Sequence, residues 1–323
     1  MIASQLSCFD RREKIDELLL ALRYSVQTMN FQENFMFPTL PLTSSQVKRN
    51  DPHTVKLWEA MPGQHHGETV QVSPGVMHEL HLAQDVINAV KDNLSQGTGN
   101  QKTDYLLTQG GSYQHAVAAR HLRDVDFRGD NQAIVKSALA AQGGTCGEHS
   151  ALAMAYLSNM DLTRPIFTYA VENHPDHQLN IIGDLREPHQ AVVVDSWPVF
   201  ARAHLANNAA LRANINRPLD VHLPGSEPKI PLEELGETEP VCEARITHIN
   251  HQKQTPDYHQ VLENPRRVRL EECTHGISNL GVRYQNRESP IDVLENIADR
   301  AVYERQAIAM QQARHYFPDR GNN

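Results

Sequence analysis

The sequence of 323 residues predicts an α+β fold with helices on one side of a small antiparallel sheet. Three observations lead to that class. Apolar residues recur at helical spacing in several segments. Two short β-prone runs flank a turn-rich hexapeptide, which is typical of a β-hairpin. A glycine-flanked cysteine directly precedes a helix-forming run at residues 151–157, so one helix is expected to pack on the hairpin.

The N-terminal region, residues 1–100, is predicted to be mainly helical. It opens with a capping-box-like start and an apolar stripe of helical period, followed by an irregular segment that is punctuated by proline. A polar, glycine-containing segment then predicts a flexible linker. The predicted elements are a helix at 10–30, a short strand at 68–72 within the irregular segment 31–75, a helix at 76–94 and the linker at 95–102.

Residues 101–215 are predicted to form a catalytic core, and residues 216–323 a C-terminal extension that completes the domain and ends in a helix. In the extension, a Pro- and Glu-rich stretch predicts a long loop that ends at residue 240. Ser289 and Pro290 are a good N-cap and N1 pair for the closing helix. The predicted elements are helices at 113–122, 132–141 and 200–213, a strand at 165–171, and a closing helix to 316 whose apolar stripe is Ile291, Leu294, Ile297 and Ala301.

The segment most informative about function is residues 142–152, with the sequence QGGTCGEHSAL. It places Cys146 after a glycine turn and directly before a predicted helix. A thiol at a helix N-terminus lies at the positive end of the helix dipole, which favours the thiolate. The flanking glycines allow a sharp turn and a close approach by a substrate. These are the local requirements for a cysteine nucleophile.

A base and an orienting acid for that nucleophile are predicted on the hairpin. If its turn centres near Arg186, paired residue numbers sum to 372, and His177 faces Asp195 across the two strands. Directly opposed residues on antiparallel strands have Cβ atoms about 5 Å apart, so the carboxylate would fix the orientation of the imidazole. Trp197 either covers the cysteine–histidine pair or fills the core. Apolar residues on the same face are expected to pack against the Cys146 helix: Leu179, Ile181, Ala191 and Val193.

Three other histidines compete with His177 for the role of base. His189 lies only six residues before Asp195. An extended strand of that length spans about 20 Å, so His189 cannot reach the carboxylate unless the chain bends. His149 is closer to the cysteine in sequence, but its side chain is expected to project away from the helix start. His174 is the weakest rival.

At these residues the chain resembles the papain/transglutaminase-like superfamily of Cys-His-Asp thiol enzymes. The element GGTCGEH, and the DH strand that is followed by VVVDSWP, also resemble bacterial type III effectors of the AvrPphE/HopX kind. The resemblance covers residues 142–198. It implies a core in which the cysteine begins a helix while the histidine and aspartate lie on adjacent strands of an antiparallel sheet. Papain itself differs, because it has asparagine where Asp195 stands here.

The resemblance implies acyl transfer through a thioester. Cys146 is then the nucleophile, His177 the base and Asp195 its orienting acid, while the side chain of Gln142 is a candidate donor of the oxyanion hole. Proteases, deamidases and transglutaminases share this chemistry, so the motif leaves substrate and acceptor open. An effector would act on a host protein after export from the bacterial cytoplasm into the host cytoplasm, and a secretion chaperone is a further partner that the resemblance implies.

Composition argues against several other classes of function. The chain has 30 basic against 39 acidic residues and a net charge of −9, which disfavours binding to nucleic acid or to an anionic membrane surface. No apolar run approaches the roughly 20 residues of a membrane span, and the N-terminus lacks the pattern of a Sec signal peptide. The four cysteines form no CxxC pair and the histidines match no metal-binding motif, so neither a metal nor a cofactor is expected.

The competing hypothesis is a catalytically silent interaction module that has retained the fold and binds a partner through its helical flanks. Thiol reactivity separates the two hypotheses. An activated Cys146 should be alkylated much faster at about pH 6 than the other three cysteines, Cys8, Cys242 and Cys273. A transferase that uses an acyl-donor cofactor ranks last, because the sequence has no Gly-rich phosphate-binding loop and no basic cluster.

Overall fold

The computed structural model describes residues 53–61, 67–172, 177–278 and 280–318, so the helix predicted at 10–30 lies outside the described residues. Within these ranges the chain has the predicted α+β fold. The helices are α1 (Leu57–Ala60), α2 (Pro74–Asn93), α3 (Lys102–Leu107), α4 (Gly111–Val125), α5 (Ala133–Ala141), α6 (Cys146–Ser158), α7 (Leu232–Gly236), α8 (Glu243–Gln252), α9 (Tyr258–Glu263) and α10 (Arg300–Tyr316). The strands are β1 (Thr54–Lys56), β2 (Glu68–Val72), β3 (Ile166–Val171), β4 (Gln178–Ile182), β5 (Val192–Val194), β6 (His204–Leu205), β7 (Ala213–His222), β8 (Val282–Asn286), β9 (Ser289–Leu294) and β10 (Ile297–Asp299).

The largest sheet has five antiparallel strands in the order β6-β5-β4-β3-β7. β3 confirms the strand predicted at 165–171, and β4 and β5 form the predicted hairpin. The helices predicted at 76–94, 113–122 and 132–141 are confirmed as α2, α4 and α5. α6 lies against β4 and α2 against β5, so both helices cover the same face of the sheet.

The two faces of this sheet are covered differently. On one face Ile182, Val192 and Val194 belong to the main hydrophobic core with α2 and α6. On the other face a separate apolar cluster contains Leu179, Ile181, Ala191 and Val193. The prediction that this second set packs against the Cys146 helix is therefore wrong. Side chains alternate along a strand, and it is the even-numbered positions of β4 and β5 that face α6.

Two smaller sheets join the first part of the described chain to its last part. β2 pairs in parallel with β8, with Glu68 opposite Val282, and β9 completes that sheet. β1 pairs antiparallel with β10. The strand predicted at 68–72 is thus confirmed as β2, although its distant partner could not be predicted. The division of the chain at residues 100 and 215 stays a prediction.

The helix predicted at 200–213 is wrong. The segment contains β6 and a 3₁₀ turn at Ala206–Asn208, and it leads into β7. His204 pairs with Val193 on β5, and this distant partner outweighs the helical spacing of the apolar residues. The loop predicted to end at residue 240 begins at Pro218, and it is also interrupted, because the second half of β7 and all of α7 lie within it.

The closing helix begins later than predicted. Ser289–Leu294 forms β9, which pairs with β8, and Ile291 of the predicted apolar stripe is 95% exposed. α10 begins at Arg300, where the side chain of Asp299 accepts a hydrogen bond of 3.0 Å from the N–H of Val302. Asp299 is therefore the N-cap that the sequence analysis assigned ten residues too early.

The segment 95–102 is not the flexible linker that its composition predicts. Thr98 forms a parallel bridge with Gly144, and the N–H of Gly99 donates to the carbonyl of Gly144 at 2.8 Å. Gln101 is completely buried. The segment therefore packs on the glycine turn before α6 and forms part of the site described next.

Candidate active site

Cys146 is the first residue of α6, so its thiol lies at the N-terminus of a 13-residue helix. Thr145 is the N-cap of this helix and forms a capping box with Glu148, whose Oε2 accepts hydrogen bonds from the N–H of Thr145 at 2.7 Å and from its hydroxyl at 2.8 Å. The first N–H groups of a helix have no partner four residues earlier. The start of α6 therefore presents N–H donors and the positive end of the helix dipole to a group held at the thiol.

The two glycines before the cysteine are required for close packing. A Cβ on Gly144 would lie 2.4 Å from the Cβ of Glu148, and a Cβ on Gly143 would lie 2.9 Å from the Cβ of His115. Neither glycine has a left-handed backbone conformation; Gln142, the C-cap of α5, adopts it with φ 56°. The absence of two side chains thus lets the turn pass between α4 and the first turn of α6.

His177 and Asp195 are hydrogen-bonded, although the register of the hairpin differs from the predicted one. Asn180 lies opposite Val194, whereas the predicted register pairs it with Val192. A difference of two residues leaves every side chain on the same face. His177 precedes β4 and Asp195 follows β5, and Nε2 of His177 lies 2.9 Å from Oδ2 of Asp195. The two residues are only 3% and 4% exposed, respectively.

This buried pair favours its charged form. Burial acts to lower the pKa of the His177 imidazole, but the charge and hydrogen bond of Asp195, together with Cys146, raise that pKa above its ordinary value. Burial acts to raise the pKa of Asp195, but His177 and the N–H of Trp197 lower it. The Trp197 N–H donates to Oδ1 of Asp195 at 3.0 Å. At neutral pH the pair is therefore an imidazolium and a carboxylate.

Cys146 lies close enough to His177 to contribute to the raised pKa of the imidazole, after the larger effect of Asp195. Nε2 of the ring is engaged with Asp195. Nδ1 is buried, and no hydrogen-bond partner for it occurs in the described part of the chain. The carboxylate therefore orients the ring and leaves Nδ1 as its uncommitted nitrogen.

Trp197 packs on the imidazole of His177, with 4.3 Å between the ring centroids. Its indole N–H donates to Oδ1 of Asn100 at 2.9 Å, and its carbonyl accepts from Nε2 of Gln101 at 3.2 Å. Trp197 therefore covers the histidine ring, which is one of the two predicted roles; the other was to fill the core. Asn100 and Gln101 were not predicted as site residues, because nothing in the segment 95–102 indicates a partner for a tryptophan 97 residues away.

A buried chain of polar side chains ties α6 to the sheet. The hydroxyl of Ser150 donates to Oδ1 of Asn180 at 3.1 Å, and Nδ2 of Asn180 donates to Oγ1 of Thr168 at 2.9 Å. Ser150 is four residues after Cys146, so the two side chains lie on the same side of the helix. These hydrogen bonds fix the position of α6 along β4 and thereby the position of the thiol relative to His177.

The competing histidines occupy other surroundings. His149 is buried, with Nδ1 3.1 Å from Oγ of Ser196 and Nε2 3.2 Å from Oγ1 of Thr98. Burial lowers the pKa of His149 to about 3, so its neutral ring cross-links α6 to two loops. His189 is exposed in the hairpin loop, and His174 lies outside the described residues.

Two glutamines lie near the start of α6. Gln142, the predicted oxyanion donor, ends α5, and within the described residues no hydrogen bond joins its side chain to the site. Gln178 directly follows His177, and its Nε2 lies 3.1 Å from the point where a Cβ on Gly147 would be. Gln178 and Gly147 both line a groove of about 290 Å³ between α5, α6 and β7. Gln178 was not among the predicted site residues, although its position next to His177 was a signal that could have identified it.

Comparisons with known proteins found no relative of this chain. No protein-family model matches the chain, and neither a curated protein nor a solved structure is detectably similar to it. In the described ranges no group of three or more His, Cys, Asp or Glu side chains could hold a metal ion. No helix in the same ranges combines the length and the apolar character needed to cross a membrane.

Proposed function

We propose that this protein is a thiol enzyme of the papain/transglutaminase-like type, which transfers an acyl group of a protein substrate through a thioester on Cys146. The observation that carries the proposal is the buried hydrogen bond between His177 and Asp195, with Cys146 as the other side chain that acts on the imidazole. A nucleophile, a base and an orienting acid in this relation are what covalent acyl transfer requires.

In the first step Sγ of Cys146 attacks the acyl carbon, an S–C bond forms, and the π electrons of the carbonyl move to its oxygen. N–H groups at the start of α6 stabilise this oxyanion. The C=O bond then re-forms and the bond to the leaving amine breaks, while the amine takes the proton held by His177. In the second step water or an acceptor amine gives a proton to His177 and attacks the thioester, which releases the product and the thiolate.

The acceptor decides the class of reaction. Water gives peptide hydrolysis or glutamine deamidation, and an amine gives transamidation. A groove of about 290 Å³ is lined by Gly147 and Gln178, the direct neighbours of Cys146 and His177, and its volume is close to the lower end of small-ligand sites, about 300 Å³. Since Cys146 itself does not line it, we expect the groove to hold a side chain that flanks the reacting acyl group. A host protein as substrate, delivery as a virulence effector and a secretion chaperone are predictions that depend on the resemblance of residues 142–198 alone.

The deciding experiment is the rate of alkylation of each cysteine by iodoacetamide against pH, with the labelled peptides quantified by mass spectrometry. At pH 6 we expect Cys146 to react at least about tenfold faster than Cys242 and Cys273. Cys242 is exposed, so a slow reaction there reflects chemistry rather than access. Burial raises the pKa of Cys273, which makes that thiol an internal unreactive reference.

His177→Ala should abolish the fast reaction of Cys146, and Asp195→Asn should slow it. His189→Ala, which changes an exposed histidine of the same hairpin, is the matched control and should leave the rate unchanged. Circular dichroism of each variant checks that it is folded. If Cys146 reacts no faster than Cys242, or if a folded His177→Ala variant reacts like the wild type, the enzyme proposal fails and the interaction module replaces it.

A further inference from the structure

We propose that Gln178 is the side-chain donor of the oxyanion hole, an inference that rests on the acyl-transfer function proposed above. Gln178 is the first residue of β4 and directly follows His177. The even-numbered side chains of β4 face α6, where Asn180 accepts the hydrogen bond from Ser150. Gln178 therefore faces the same helix, two strand positions closer to His177 than Asn180.

Gly147 determines where the amide of Gln178 can lie. Nε2 of Gln178 is 3.1 Å from the point where a Cβ on Gly147 would be. Gly147 directly follows Cys146, so this nitrogen lies over the first turn of α6, where N–H groups have no partner within the helix. An acyl oxygen held at Cys146 would thus receive one hydrogen bond from the helix and a second from Gln178.

Within the described residues the side-chain amide of Gln178 makes no hydrogen bond. It lines a groove that also contains Gly147, the residue after Cys146. Gln101 shows the contrasting case, because both atoms of its buried amide are engaged, Nε2 with the carbonyl of Trp197 and Oε1 with the N–H of Cys273. A side-chain amide carries two N–H donors, so Gln178 has them available for an anionic oxygen.

Two reagents separate this role from a role in activating the thiol. Iodoacetamide alkylates sulfur without forming an oxyanion, whereas p-nitrophenyl acetate acylates it through a tetrahedral oxyanion. In Gln178→Ala we expect the alkylation of Cys146 to keep its wild-type rate and the acylation to fall about 100-fold, as is typical when one oxyanion donor is lost. Gln178→Glu, which replaces the donor by a carboxylate of the same shape, should be slower still.

Gly147→Ala should also slow the acylation, but less than Gln178→Ala, because its Cβ lies 3.1 Å from the amide nitrogen and displaces that donor without removing it. Gln190→Ala, in the loop of the same hairpin, is the matched control for loss of a glutamine and should keep both rates. The proposal is overturned if Gln178→Ala acylates at the wild-type rate, if both reactions slow equally, or if Gln142→Ala shows the selective loss instead. Failure of the proposed function would give a different result, which is measured in the wild type. Cys146 would then react no faster than Cys242 with either reagent.

Discussion

The ring of Trp197 lies 4.3 Å from the ring of His177 and is held there by a hydrogen bond to Asn100. The residue that covers the proposed base is thus oriented by a segment whose composition predicts a flexible linker. Trp197 is 2% exposed whereas Asn100 is half-buried, so the buried indole N–H is the group that is costly to leave without its partner. The contribution of the Trp197–Asn100 hydrogen bond to the free energy of unfolding can therefore be measured independently of any reaction.

Asn100→Ala should destabilise the fold by about 1–3 kcal/mol, because it leaves the buried indole N–H of Trp197 unsatisfied. Trp197→Phe should destabilise it mainly through lost packing of the smaller ring, since the half-buried amide of Asn100 can turn to water. The double variant should cost less than the sum, since it leaves neither group unpaired. Urea unfolding of the wild type, the two single variants and the double variant measures this coupling. Strict additivity of the three free-energy changes would show that the hydrogen bond adds nothing to stability.

Asp195→Asn should lower stability most at mildly acidic pH. The folded-state pKa of His177 is raised above its ordinary 6.5, so its contribution is complete below pH 6.5 and is lost as pH rises through the raised value. The folded-state pKa of Asp195 is lowered from its ordinary 3.8, so its contribution is complete above pH 3.8 and is lost as pH falls through the lowered value. The pair is therefore most stabilising between about pH 4 and 6.5, and the loss there should reach about 3 kcal/mol.

Free energies of unfolding from pH 3 to pH 10 test this window for the wild type and Asp195→Asn. Asp184→Asn is the control, because Asp184 pairs with Arg186 at the exposed tip of the hairpin and such pairs contribute little. A difference between the wild type and Asp195→Asn that does not change with pH would contradict an ion pair.

Gly144→Ala should destabilise the protein by about 1–3 kcal/mol through overpacking, because its Cβ would lie 2.4 Å from the Cβ of Glu148. Gly75→Ala is the matched control. A Cβ there meets no atom within 4 Å, and the residue lies in the first turn of α2, so the change should stabilise by about 0.4–1 kcal/mol. Thermal unfolding compares the two variants, and equal effects would remove the argument for close packing at Gly144.

Asn180→Ala should cost about 1–3 kcal/mol, because it leaves the hydroxyls of Ser150 and Thr168 without their buried partner. It should also slow the alkylation of Cys146, since α6 is no longer fixed on β4. The triple variant Ser150→Ala, Thr168→Val, Asn180→Leu removes all three hydrogen-bonded side-chain groups together and should recover most of the stability lost in Asn180→Ala. If the triple variant is less stable than Asn180→Ala, the cost lies in packing and the hydrogen bonds are not its cause.

The part of the site that could be predicted is the part carried by local chemistry and by strand periodicity. The glycine turn and the helix after it place Cys146 at a helix N-terminus, as predicted. The hairpin brings His177 to Asp195 even though its register is two residues from the predicted one. His177 directly precedes β4 and Asp195 directly follows β5, so both residues lie at the same end of the two antiparallel strands.

The remainder depends on contacts between residues far apart in the sequence. Asn100 and Trp197 meet across 97 residues, and no pattern near either one indicates the other. The apolar spacing from Ile291 onwards fits a helix, yet pairing with β8 makes the first part of that segment a strand. In both β6 and β9, pairing with a neighbouring strand outweighs local propensity, and that partner is not encoded in the local pattern.

The pairing of β2 with β8 has a consequence for how the protein is made. Gln71 and Gln285, opposite each other in these strands, are 214 residues apart. At translation rates of about 5–20 residues per second, β2 leaves the ribosome roughly 10–40 s before its partner exists. Throughout that interval the nascent chain carries an unpaired strand edge next to the apolar side of α2. The yield of native protein should therefore depend on the speed of synthesis and on whether another molecule covers that edge until β8 is made.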